Sequence, residues 1–171
     1  MDAGAEDDFR DFVVARTPAL LGTAYALTGD RGLAEDLLQT ALLKTYRRWR
    51  VVRDEHPEAY VRRVMTNQQI SWWRRRRVAE SGRPLPDRAG PDRPSGIEDR
   101  DELWRALRQL PPRTRAVVVL RYWEDLSEAE VAGILGCSVG SVKSQASRGL
   151  HRLRDVLAAG RASGDREGTR P

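Results

Sequence analysis

The stretch LSEAEVAGILGCSVGSVKSQASRGLHRLR, residues 126–154, decides the fold of the second half of the chain. Ser127 and Glu130 have the spacing of a capping box, which predicts the start of a helix. Gly136 is placed to end that helix in a left-handed turn, and Ser138 is placed to cap the next helix. Two helices joined by a glycine-containing turn of about three residues are typical of a helix-turn-helix.

The second of these helices has two chemically different faces. Its apolar residues recur at spacings of three and four, which predicts a buried face. Small hydroxyls, an amide and cations lie away from that face and suit the major groove of DNA, where small side chains let the backbone come close and cations hold phosphates. A solvated face gives the same pattern, and helix-turn-helix geometry also occurs in domains that do not bind DNA. The residues predicted to point outward are Ser141, Lys143, Ser144, Gln145, Ser147 and Arg148.

A segment rich in proline and glycine separates this region from the first half of the chain. Residues 80–98 contain four of the nine prolines and too little apolar content for a core, so they predict a linker. Neither half shows a sustained period of two, so we predict an all-α protein with two small helical domains. The predicted division is a first domain over 1–79, the linker, a second domain over 99–158 and a disordered tail over 159–171.

The first domain shows helical spacing throughout. A long amphipathic helix is predicted between Leu33 and Trp49, with Tyr46 on its apolar face. Residues 51–56 predict a short polar loop, and Pro57 is well placed to begin the next helix. Pro18 predicts an interruption or a kink in the first helix.

The stretch SWWRRRR, residues 71–77, places two tryptophans beside four arginines. Arginines neutralise phosphates and tryptophans can stack on unpaired bases, although such arginine runs are often only solvated. A membrane surface would need a broader apolar face than this helix offers. Trp72 and Trp73 point about 100° apart on a helix, so at least one of them, in our interpretation Trp72, is expected in the core, and both are expected to be at least partly buried.

Composition narrows the class of protein further. The net charge is +5, and all but two of the thirty basic residues are arginine, which favours a polyanionic partner. The single cysteine, Cys137, excludes an internal disulfide, and two histidines give too few zinc ligands. The acidic start has no apolar signal region and no stretch approaches 18 apolar residues, so we expect a cytoplasmic protein without membrane contact.

Nothing in the sequence indicates catalysis. There is no glycine-rich phosphate loop and no metalloprotease motif, and the adjacent Glu35 and Asp36 do not converge as an acid–base pair. We therefore expect neither an enzyme nor a cofactor.

Three motifs in a fixed order carry a family resemblance. AEDLLQTALLKTYRRW (34–49), AYVRRVMTNQQISWWRRRR (59–77) and residues 126–154 resemble segments of bacterial RNA polymerase sigma factors of the extracytoplasmic-function (ECF) type, within the actinobacterial SigE-like group. The resemblance implies that the first segment docks on the β′ clamp of core polymerase. It implies that the second melts and reads the −10 element and that the third reads the −35 element. Further expected partners are the β flap and an anti-sigma factor.

The same resemblance assigns roles to individual residues. Residues 51–56 match the loop that captures a flipped −10 base, and Trp72 and Trp73 match packing positions. Gln145 stands where the family usually has arginine, which is expected to change the −35 sequence that is read. Thr40 stands where the family often has an acid. The implied contacts are Asp36, Gln39 and Leu42 for core polymerase; His56, Arg62, Arg63, Asn67, Gln68, Arg74, Arg75, Arg76 and Arg77 for the −10 element; and Ser141, Lys143, Ser144, Gln145 and Arg148 for the −35 element.

Two other hypotheses make different predictions. A stand-alone repressor would bind duplex DNA specifically without polymerase, usually as a dimer, and the sequence shows no dimerisation helix. A nuclease would need a nucleophile or a metal cluster, and the sequence offers neither. A sigma factor must instead form a complex with core polymerase.

Overall fold

The computed structural model describes the backbone of residues 3–79 and 98–167, with side chains described within 4–75 and 102–160. Every regular element in these ranges is helical, which confirms the all-α prediction. The chain divides into two compact units, Met1–Gly90 and Pro91–Pro171. The predicted linker lies outside the described residues except for Glu98. The helices are α1 (Ala3–Thr28), α2 (Arg31–Tyr46), α3 (Trp49–Val52), α4 (Pro57–Ala79), α5 (Glu98–Arg108), α6 (Pro112–Val118), α7 (Glu128–Leu135) and α8 (Val139–Glu167).

In the first unit, α2 packs against both α1 and α4. Leu27, Leu37, Val61 and Met65 come from these three helices and are fully buried, so they supply much of the apolar core. Asp30 caps α2, because its Oδ1 accepts a hydrogen bond of 2.8 Å from the backbone N–H of Leu33.

The first helix passes through Pro18 without interruption, so the predicted break is wrong. Proline removes the hydrogen bond that its N–H would donate to the carbonyl of Val14. Both residues are exposed, so water can satisfy the Val14 carbonyl from outside the helix.

An aromatic cluster fixes the end of α2. Trp49 is buried, and its ring centroid lies 5.1 Å from the rings of both Phe9 and Phe12. This packing holds Trp49 at the start of α3, which extends to Val52. The polar loop predicted over 51–56 is therefore shorter, since its first two residues belong to a helical turn.

In the second unit, α8 packs against α5, α6 and α7. Leu107, Leu110, Val118 and Leu153 form the buried centre of one hydrophobic cluster. One π-helical turn over Val119–Trp123 extends α6 toward α7.

Arg115 closes the end of α5 from inside this unit. Its Nη2 donates to the carbonyl of Arg108 at 2.8 Å and to that of Leu110 at 3.3 Å. Burial, followed by repulsion from Arg108, lowers the pKa of Arg115 to about 10, so the guanidinium remains charged at neutral pH.

The last helix continues to Glu167, beyond the predicted start of a disordered tail at residue 159. Alanine, arginine and glutamate in this last segment favour a helix, whereas Gly160 and Gly164 oppose it.

Candidate nucleic-acid interface

The helix-turn-helix has the capping geometry that the sequence predicts. Ser127 Oγ accepts a hydrogen bond of 3.2 Å from the N–H of Glu130, and the Glu130 carboxylate accepts one of 2.7 Å from the N–H of Ser127. The bonds from the Ser127 hydroxyl and backbone lower the pKa of Glu130. Gly136 ends α7 at φ 61°, and Ser138 Oγ accepts a bond of 3.1 Å from the N–H of Ser141. The turn between α7 and α8 is therefore defined at both ends.

The front of α8 presents an exposed polar surface. Lys143 Nζ lies 3.6 Å from Glu128 Oε2 of α7, so the lysine has an acidic neighbour on the preceding helix. Arg148 Nε donates to the backbone carbonyl of Ser144 at 3.2 Å. Small side chains and two cations therefore face solvent along the first turns of this helix. The exposed residues are Gly140, Lys143, Ser144, Ser147, Arg148 and His151.

Gln145 does not belong to this exposed surface, which corrects the sequence prediction. It is 9% exposed, and its Nε2 donates a bond of 3.0 Å to Ser141 Oγ. Gln145 follows the buried Val142 by three residues and precedes the buried Gly149 by four, so it lies on the buried face of α8. Ser141 is half-buried at the edge of the exposed surface.

A cationic stripe runs along α4. Arg63, Asn67 and Arg74 are all exposed, and their spacings of four and seven place them on one face. His56 is exposed immediately before the helix begins. All four side chains were predicted to meet the −10 element, and the structure aligns the three on α4 in a single row.

Other predicted −10 residues lie beside the stripe. Arg62 is partly buried and forms an ion pair with Glu58, which also lies 3.5 Å from Arg16 of α1. Gln68 Oε1 accepts a bond of 2.6 Å from Lys44 Nζ of α2. Arg75 is exposed on the side of α4 that faces α2. Arg76 and Arg77 lie in α4, but their side chains are outside the described residues.

The two tryptophans of α4 line a groove instead of entering the core. Trp72 and Trp73 are both half-buried, so the expectation that Trp72 is a core residue is wrong. The groove has a volume of about 400 Å³ and lies at the contact of α2 with the end of α4. Packing against α2 therefore covers only part of each ring. The groove is lined by Leu33, Asp36, Gln69, Trp72, Trp73 and Arg75.

The outer face of α2 has a different chemistry. Asp36 and Gln39 are exposed and Leu42 is half-buried. Leu43 is 52% exposed and Tyr46 is 37% exposed, on the same face as Gln39. Sequence reasoning missed Leu43, although its spacing of four from Gln39 was a usable signal. Tyr46 was predicted on the apolar face, and its ring does pack against Phe9 of α1 at 5.1 Å while 37% of its surface stays exposed. An acid beside exposed apolar groups suits a protein partner, because Asp36 would repel DNA phosphates.

Within the described residues, no helix is long and apolar enough to cross a membrane. The same part of the chain contains no group of three or more His, Cys, Asp or Glu residues that could hold a metal ion.

Comparisons with known proteins agree with this arrangement. Sigma-70 region 2 matches residues 12–78, and sigma-70 region 4 matches residues 100–153. The RNA polymerase sigma-E factor of Streptomyces coelicolor is 44% identical over 154 residues, which covers 89% of this chain and 87% of that protein. The chain belongs to the sigma-70 family of RNA polymerase sigma factors.

Further relatives narrow the group. The ECF RNA polymerase sigma factor SigE of Mycolicibacterium smegmatis is 32% identical over 165 residues, covering 92% of this chain and 64% of that protein. A solved structure of the sigma factor RpoE in complex with the anti-sigma factor NepR, from Bartonella quintana, aligns with a TM-score of 0.71 at 28% identity. That alignment covers 88% of this chain and 97% of that one. The chain is therefore an ECF sigma factor, which binds core RNA polymerase and directs promoter recognition and transcription initiation.

Proposed function

We propose that this sigma factor divides its work among three surfaces, each on a different helix. The front of α8 reads the −35 element in the major groove. Its exposed Lys143, Ser144 and Arg148 are joined at the edge by Ser141. The cations hold phosphates, and the small hydroxyls let the helix backbone approach the base edges.

The second surface is the stripe on α4, which holds the −10 element. Arg63 and Arg74 supply charge to the backbone, and Asn67 between them supplies an amide that can pair with an exposed base edge. His56 extends the surface toward residues 53–56, where a flipped base would be captured. Arg62 and Gln68 support this surface from its sides, through their bonds to Glu58 and Lys44. Arg75, Arg76 and Arg77 add positive charge at the end of the helix.

The third surface is the outer face of α2, which docks on the β′ clamp of core polymerase. Asp36, Gln39 and Leu42 take part together with Leu43 and Tyr46, whose exposed apolar area supplies the buried centre of the interface. In the second unit, Tyr122 and Trp123 are about half exposed and fit a contact with the β flap.

The observation that carries this proposal is the separation of charge within the first unit. The exposed α4 stripe has two cations and no acid, while the outer face of α2 has an acid and exposed apolar side chains. A simple DNA-binding protein has no use for the outer face of α2. We propose further that the protein acts in the cytoplasm with its polymerase, catalyses no reaction itself and needs no cofactor. The anti-sigma complex of its structural relative supports an anti-sigma partner here as well.

A pair of matched substitutions tests the polymerase surface. Leu43→Asp places a charge in the centre of the α2 face, whereas Val14→Asp makes the same change at a 72% exposed valine of α1. We expect Leu43→Asp to abolish comigration with core polymerase in gel filtration and promoter-specific transcription. Val14→Asp is expected to preserve both. Equal behaviour of the two variants would exclude this surface.

A further inference from the structure

Two serines near the start of α8 make opposite hydrogen bonds inside the protein. Ser144 Oγ donates its hydrogen to the carbonyl of Gly140 at 2.9 Å. Ser141 Oγ instead accepts a bond of 3.0 Å from Gln145 Nε2. Within the described part of the chain, the Ser141 hydroxyl donates to no other group. The two hydroxyls are therefore left with different capacities toward an external ligand.

The chemistry of a hydroxyl makes this difference definite. A serine side chain has one hydrogen to donate and two lone pairs that accept. Ser144 has used its hydrogen within the helix, so it offers lone pairs. Ser141 has used a lone pair, so it keeps its hydrogen. With Nε2 of the Gln145 amide turned toward Ser141 Oγ, the amide nitrogen is the donor and the hydroxyl oxygen is the acceptor.

The burial of the Gln145 side chain prevents it from contacting DNA directly. The residue is 9% exposed, while the neighbouring Ser144 and Arg148 are exposed. To bind a base, the Gln145 amide would have to leave its buried position and break the bond to Ser141. A buried amide that holds an accessible hydroxyl acts through that hydroxyl.

We propose that Gln145 is a positioning residue that fixes Ser141 as a hydrogen-bond donor toward promoter DNA. The inference rests on the proposed function, in which the front of α8 lies against the −35 element. The ligand of Ser141 is then a hydrogen-bond acceptor: guanine N7 or O6, adenine N7, thymine O4, or a phosphate oxygen. Ser144 favours a donor, such as the amino group of cytosine or adenine.

A double-mutant cycle on the polymerase holoenzyme tests the proposal. Dissociation constants are measured at one salt concentration for a promoter set with every single base substitution in the −35 element. We expect Ser141→Ala and Gln145→Met each to reduce discrimination by about 2- to 10-fold at the same base pair. The double variant is expected to behave like Ser141→Ala alone. If the affinity instead falls equally for every promoter in the set, and the double variant still behaves like Ser141→Ala alone, the acceptor is a phosphate.

The matched control is Ser147→Ala, which removes an exposed hydroxyl from the same helix. Its effect is expected to add to that of Gln145→Met, because the two side chains share no bond. The proposal is overturned if Gln145→Met still changes the base preference when Ser141 is already alanine. It is equally overturned if Gln145→Met changes neither the base preference nor the overall affinity of the wild-type background.

A second substitution reverses the bond. The carboxylate of Gln145→Glu accepts the hydrogen of Ser141, which leaves only lone pairs facing outward. The preference at the Ser141 base pair should then move toward a base that presents an amino group. The Gln145→Glu experiment tests the proposal even if the Gln145→Met protein does not fold. If the binding of wild-type holoenzyme does not depend on the −35 sequence at all, the proposed function itself is overturned. If binding does depend on that sequence but the effects of Ser141→Ala and Gln145→Met add, only the role of Gln145 is overturned.

Discussion

Replacing Gly149 by alanine tests a close contact between α6 and α8 in the second unit. A Cβ at this position would lie 2.5 Å from Val118 Cγ2 and 3.0 Å from Thr114 Cγ2, both on α6. Carbon atoms pack best at about 3.5–4.0 Å, so α6 and α8 would have to separate by roughly 1 Å. Val118 is buried and β-branched, so its side chain has little freedom to rotate away.

The size of the effect follows from two opposing terms. Overpacking of a tight core costs about 1–3 kcal/mol. Alanine is a better helix former than glycine by about 1 kcal/mol, which offsets part of that cost. We therefore expect Gly149→Ala to lower the free energy of unfolding of the second unit by up to about 2 kcal/mol. Gly133 in α7 is the control, because a Cβ there meets no atom within 4 Å. Gly133→Ala should stabilise by about 0.5–1 kcal/mol.

Hydrogen exchange read by mass spectrometry suits this test, because it reports the two units separately. Peptides from α6 and α8 should exchange faster in Gly149→Ala and more slowly in Gly133→Ala. Peptides from α2 and α4 should be unchanged in both variants. Equal stabilisation by the two alanines would refute the packing argument, because it would show that α6 tolerates the added methyl group without moving.

Three further predictions concern a cap, a buried cation and the DNA surface. Ser127→Ala should destabilise the second unit by about 1 kcal/mol at neutral pH. The folded-state pKa of Glu130 is lowered, so the part of this contribution that comes from the Ser127–Glu130 carboxylate bond is present above the free glutamate pKa of about 4.3 and is lost as the pH falls through the lower folded value. The difference between the denaturation curves of mutant and wild type should therefore become smaller in acid, while the bond from the Glu130 N–H to Ser127 Oγ keeps it above zero. Arg115→Met leaves the carbonyls of Arg108 and Leu110 without their buried donor and should cost about 1–3 kcal/mol in chemical denaturation, whereas Arg152→Met at an exposed position should change stability by less than about 0.5 kcal/mol. Arg63→Ala and Arg74→Ala should each reduce the slope of log Kobs against log salt for promoter binding by about 0.7–0.9, whereas Arg10→Ala, which removes an exposed cation paired with Asp7, should leave the slope unchanged.

Signals local in sequence predicted much of the fold. The capping box at Ser127, the left-handed Gly136 and the apolar spacing of α8 each depend on neighbours within one or two turns. The structure confirms them because the same short-range geometry holds in the folded chain. The helical character of both units follows from these signals.

Other features depend on which helix covers a given position, and the sequence alone does not specify that. Leu43 is 52% exposed, and Tyr46 keeps 37% of its surface exposed although its ring packs edge-on against Phe9 of α1. Gln145 carries a polar amide that patterning places outside, yet its rotational position directs it inward toward the bond with Ser141. Trp72 was expected in the core from its position on the helix, but it is only partly buried and lines the groove with Leu33 and Asp36 of α2. Each difference comes from a tertiary contact or its absence within the described residues.

The division of promoter recognition between α4 and α8 is the central claim, and transcription from a promoter library tests it directly. Holoenzymes carrying Arg63→Ala with Arg74→Ala, or Lys143→Ala with Ser144→Ala, would be compared on templates with every single substitution in both promoter elements. We expect the α4 variant to change transcript yields only through the −10 element and the α8 variant only through the −35 element. Shifts by both variants at the same base pairs would contradict the assignment of separate surfaces.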